Sequence, residues 1–87
     1  MTYTKDPNAV LDYTVDWTRW LAADQVATSE WIIPSGLTRM ADSKTSTSAT
    51  VWLSGGNVGQ SYTVTNRITT AAGRTEDRSF TIRVEER

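Results

Sequence analysis

Histidine and cysteine are both absent from this 87-residue chain. Their absence removes the commonest general base, the thiol nucleophile and most zinc-site designs together. It also removes disulfides, so the fold does not depend on an oxidising compartment. No apolar run approaches the roughly 20 residues that a membrane span requires. The polar start Met1-Thr2-Tyr3-Thr4-Lys5-Asp6-Pro7 lacks the pattern of a signal peptide, so a soluble product made in the cytoplasm is expected. An excess of charge of one sign is missing too: nine Lys and Arg against ten Asp and Glu leave a net charge of -1 and a pI near 5.2. The arginines are scattered along the sequence, which gives no electrostatic basis for a nucleic acid or an anionic membrane as partner.

The residues that remain offer little chemistry. No Ser-x-x-Lys pair and no Gly-x-Ser-x-Gly elbow occurs, and no serine has an evident base. Gly55-Gly56-Asn57-Val58-Gly59 is rich in glycine but joins two strands, so no helix N-terminus stands ready for a phosphate. Asp12, Asp16, Asp24, Glu76 and Asp77 form no calcium-loop run and read as solvated charges that discourage edge pairing. The expectation is no catalytic residue, no cofactor and no metal.

Alternation of period two is what the sequence does have. Tyr62, Val64 and Ile68 share one parity against Thr63, Thr65, Arg67 and Thr69, and Phe80, Ile82 and Val84 resume the pattern after the turn Ala71-Ala72-Gly73-Arg74. That is an antiparallel hairpin with one buried face. Tyr62 opens its first strand shortly after Gly59, where immunoglobulin-like and fibronectin-like sandwiches place a corner tyrosine whose hydroxyl returns to nearby backbone. Tyr13, Val15 and Trp17 alternate with Asp12, Thr14 and Asp16. Ala49, Val51 and Leu53 alternate with Thr50, Trp52 and Ser54. Threonine interleaves these runs as a β-branched residue does on the wet face of a sheet.

Between the strands the pattern is less regular. Trp20-Leu21-Ala22-Ala23-Asp24 breaks the period and suits one short helical turn. Gln25 to Ile33 keeps no single parity, which fits either a bulge or a strand buried on both faces. Pro34-Ser35-Gly36 signals a turn before a short strand holding Leu37, and Asp42 to Ser48 has the composition of an exposed loop or edge. The result is an all-β, immunoglobulin/fibronectin type III-like antiparallel sandwich of about seven strands. Residues 1–11 form an extended N-terminal arm or edge segment, and residues 12–87 a single sandwich domain.

Among the four tryptophans, Trp17 and Trp31 fall on or near the apolar parity and are core candidates, together with Tyr62. Trp52 has the opposite parity to Val51 and Leu53 and so points outward, and Trp20 sits in the turn. Exposed tryptophans are frequent interface anchors.

The runs Asp12-Tyr13-Thr14-Val15-Asp16-Trp17-Thr18-Arg19-Trp20-Leu21, Ala49 to Gly56, Tyr62 to Asn66, and Ala72 through Thr75 to Ser79-Phe80-Thr81 resemble the small phage fibre-tail adaptor proteins. The likeness spans nearly the whole chain, and its Asp-Trp-x-x-Trp-Leu segment is the most specific part. One departure is Ala23, where the family leads one to expect a glycine before the aspartate.

The resemblance implies a virion structural protein, made in the host bacterial cytoplasm and present in multiple copies. It would connect tail fibre to tail through contacts with other virion proteins in the tail, the fibre or near the portal. It implies no enzyme activity. Partner contacts are expected at Trp20 and Trp52 and at Tyr3 and Lys5 of the arm. A capsid decoration or cement domain is the alternative, followed by a carbohydrate- or host-surface-binding module.

Overall fold

The structure is a computed structural model, and it describes residues 1–86. Seven strands and one helical turn follow one another along the chain: β1 (Thr2–Lys5), β2 (Leu11–Asp16), α1 (Thr18–Leu21), β3 (Val26–Ile32), β4 (Leu37–Lys44), β5 (Ser48–Gly55), β6 (Ser61–Thr70) and β7 (Thr75–Val84). They form a four-stranded sheet in the order β1-β7-β6-β3 and a three-stranded sheet in the order β2-β5-β4. All pairings are antiparallel except β1 with β7. The molecule measures 42 × 21 × 19 Å.

The alternation read from the sequence sets the inner faces. Tyr62, Val64 and Ile68 on β6 and Phe80, Ile82 and Val84 on β7 are buried, with Tyr62 opposite Ile82 and Val64 opposite Phe80. They face Tyr13 and Val15 of β2 and Ala49, Val51 and Leu53 of β5 from the second sheet. Burial of these side chains is the main stabilising contribution. Tyr3, Tyr13 and Phe80 form an aromatic group with ring centroids 5.1 to 5.5 Å apart, within the range where offset and edge contacts are favourable.

The structure decides two points that the sequence left open and extends a third. Residues 2–5 form edge strand β1, bonded to β7. The irregular parity after Gln25 is a bulge between Val26 and Thr28. Strand β4 is longer than expected: it runs as an edge strand through Asp42 to Lys44, into the segment expected as an exposed loop or edge, and carries a second bulge between Arg39 and Ala41. Its composition hid it because only Leu37 of this strand is buried. Backbone pairing with β5, rather than burial, holds the rest.

Candidate interaction surfaces

Of the residues expected in the core, Trp17 and Tyr62 are held by polar contacts as well as packing, and Trp31 by packing. Trp17 is fully buried, and its indole Nε1 donates to Asn66 Oδ1 at 2.9 Å. The Asn66 amide donates in turn to Ser29 Oγ at 2.9 Å and to the Glu30 carbonyl at 3.1 Å. The network ties the segment after β2 to β6 and β3, and so links the two sheets. Asn66 is the core residue that polarity alone disguises, although its parity matches Val64 and Ile68. Trp31 is buried with its Nε1 unpartnered among the described residues, as is the hydroxyl of Tyr13. Burial pushes the Tyr13 phenol above its ordinary pKa.

Tyr62 takes the corner position. Its hydroxyl accepts the Asn57 N–H at 2.9 Å. Gly36 makes room for its ring, since a Cβ there would lie 2.8 Å from Tyr62 Cε1, and Gly56 makes room for the neighbouring Val84, whose Cγ2 would lie 2.6 Å from a Cβ. Both glycines have positive φ, 107° and 96°, so side chains are disfavoured there twice over.

Trp20 lies on α1 with its ring partly buried and packed against the core. It meets Trp17 edge-on at a centroid distance of 5.4 Å, and the Arg74 guanidinium covers it at 4.3 Å. Arg74 also donates to the Leu21 carbonyl at 3.1 Å and to Asp24 Oδ2 at 3.2 Å. Asp24 Oδ1 accepts the amides of Gln25 at 2.8 Å and Ala72 at 3.2 Å. Trp20 is thus part of a cluster joining the connection after α1 to the β6–β7 turn. The positive φ in that connection belongs to Ala22, at φ 56° and ψ -113°, not to Ala23, where the family comparison directed attention.

Lys5 does not stand where a partner reaches it. Its side chain is fully buried, and Nζ donates to the carbonyls of Asp6 at 2.9 Å and Gly55 at 2.7 Å. The expectation of Lys5 as an exposed contact is therefore corrected: β1 turns Tyr3 and Lys5 inward, and the ammonium closes the end of β5. Desolvation holds its pKa below the ordinary lysine value. Tyr3 is partly buried and belongs to the aromatic group with Tyr13 and Phe80.

Trp52 is different. It is 42% exposed, the one aromatic side chain among the described residues left in the exposed class. It stands on β5, the central strand of its sheet, opposite Asp12 of β2 and Ala41 of β4. Thr14 and Thr50 beside it share a hydroxyl contact of 2.8 Å. Its neighbours on this face are small or polar, and exposed Met40 (58%) stands at the β4 bulge in the neighbouring strand.

This arrangement gives a scaffold with a packed interior and one exposed aromatic ring among the described residues. The family model for podophage GP4 fiber-tail adaptor protein gp77 matches residues 5–83. The chain belongs to this family. Membership assigns this adaptor chain a structural role in a phage. No curated protein matches it in sequence. Among solved structures, the PKD domain from the KIAA 1837 protein matches 98% of the adaptor chain and 78% of its own, with 20% identity and a TM-score of 0.58. That likeness concerns the fold alone, and it agrees with the two-sheet immunoglobulin-like architecture.

Proposed function

We propose that the domain is a stoichiometric virion component that connects tail fibre to tail, docking through the outer face of the β2-β5-β4 sheet. The observation that carries this reading is Trp52, an exposed ring on the central strand of this sheet, set among small and polar side chains. Such a ring fills a pocket on a partner at little conformational cost, and anchors of this kind dominate interface energies. Partners are other virion proteins, met by several copies of the domain, with neither nucleic acid nor membrane involved. Trp20 and Tyr3 are secondary contact candidates, each presenting only part of a ring. With a net charge of -1, docking at the Trp52 face depends weakly on salt.

The test is mass spectrometry and cross-linking of assembled particles carrying either the native protein or Trp52→Ala. Loss of an interface anchor costs about 2 kcal/mol or more, roughly a 30-fold weaker contact, so the variant is expected to fold normally and be depleted from particles. Normal incorporation of the variant removes Trp52 from the interface. Cross-links confined to the capsid shell favour a decoration domain, and absence of the native protein from the particle ends both readings.

A further inference from the structure

Sheet edges are where a β-protein binds another chain by backbone pairing, and the four edges here are not alike. Edge strand β1 has only four residues. Edge strand β3 is interrupted by the Val26–Thr28 bulge. Edge strand β4 has a bulge and places Arg39, Asp42 and Lys44 opposite the inward residues Leu53, Val51 and Ala49, so charges occupy its inward parity. Each device blunts pairing. The β2 edge has none of them: Leu11–Asp16 pairs with β5 in unbroken register, and its inward parity carries buried Tyr13 and Val15 and the exposed but apolar Leu11. No described strand pairs with its other side.

The ladder shows which groups that edge offers. The Trp17 N–H bonds to the Thr47 carbonyl at 2.8 Å, so alternate residues Val15, Tyr13 and Leu11 also bond toward β5. Asp12, Thr14 and Asp16 then direct their backbone N–H and C=O groups outward. The Asp16 carbonyl is already met from that side, by Arg78 Nη1 at 2.9 Å. Beside the edge lies a cleft of about 270 Å³ lined by Met1, Tyr3, Val15 and Phe80, with polar Asp16 and Arg78 also in its lining.

We propose that the β2 edge receives an extended partner segment as an added strand, with apolar side chains entering this cleft and basic side chains facing Asp12 and Asp16 on the outer face. A second copy of the chain is a poor occupant: antiparallel pairing centred on Thr14 sets Asp12 of one copy against Asp16 of the other, twice, and like charges directly opposite are unfavourable. The edge rejects itself and selects the opposite charge. The proposal rests on the adaptor reading for what supplies the segment, not for the edge.

The probe is a synthetic peptide of alternating lysine and valine, with its glutamate-for-lysine counterpart as control, added to the isolated domain and followed by amide hydrogen exchange. The lysine peptide is expected to slow exchange at Asp12, Thr14 and Asp16 by roughly tenfold or more, with an effect that salt weakens. Thr14→Pro removes one outward N–H without touching the β5 ladder and is expected to abolish protection. Asp12→Lys, at an exposed position, is expected to shift preference toward the glutamate peptide even if the proline variant folds poorly. No protection, equal protection by both peptides, protection at β3 or β4 instead, or dimerisation that protects these amides without peptide overturns the proposal. Peptide capture by a protein absent from particles defeats the adaptor reading alone. Normal assembly of Thr14→Pro together with no peptide capture defeats the edge alone.

Discussion

Two tyrosines of the core carry the same hydroxyl in opposite circumstances. At Tyr62 the oxygen accepts the Asn57 N–H, so Tyr62→Phe leaves that donor without its partner and is expected to cost about 1 kcal/mol, read as a lower denaturant midpoint. At Tyr13 the oxygen is buried and bonded to nothing described, so folding has already cost its hydration without return. Tyr13→Phe is therefore expected to leave the midpoint unchanged or raise it. A large loss at Tyr13 with none at Tyr62 contradicts the hydrogen-bond assignments. The sequence made Tyr62 legible through its place between Gly59 and an alternating strand. Asn66 was not legible, because a polar residue on the inward parity shows its role only once Trp17 Nε1, Ser29 and Glu30 surround it. Lys5 misled for a related reason: lysine is rarely buried, and the Gly55 carbonyl that receives its ammonium lies 50 positions away.

At the scale of elements, strands with both parities filled were readable, and elements held by backbone alone were not. β6, β7, β2 and β5 declare themselves because apolar and polar residues alternate in sequence. β4 does not, since most of its length is exposed. The connection after α1 adds a point of strain. Asp24 N bonds to the Leu21 carbonyl at 3.0 Å, and Ala22, at φ 56° and ψ -113°, occupies the first central position of a type II′ turn, where glycine is preferred. A side chain there costs about 1 to 3 kcal/mol, while glycine adds about 0.4 to 1 kcal/mol of unfolded-state entropy. Ala22→Gly is expected to stabilise the domain by about 1 kcal/mol in a denaturant melt. An Ala23→Gly variant, at the position singled out by family resemblance, is not expected to share the gain. The resemblance thus pointed to the right turn and the neighbouring residue.

Taken as a whole, the molecule is a sandwich in which Asp24 pins the connection between the two sheets, at its β3 end, to the β6–β7 turn. Its carboxylate links the connection after α1 to the β6–β7 turn through the amides of Gln25 and Ala72 and the guanidinium of Arg74. The Thr70 hydroxyl and these donors outweigh partial desolvation and hold its pKa down to about 2, against an ordinary 3.8. Because the folded-state value is depressed, the contribution to stability is fully present above the unfolded value and is lost as pH falls through about 2. Arg67 holds Asp77 low, and hydrogen bonds from Thr18 hold Asp16 low, so acid weakens the domain through several carboxylates together. Asp24→Asn isolates one of them. The variant is expected to melt below the native protein at neutral pH, and the gap between the two is expected to narrow as pH drops from about 4 toward 2. A gap that stays constant across that range means that the Asp24 charge does not hold the two connections together, and that the loss comes from the altered shape of the side chain instead.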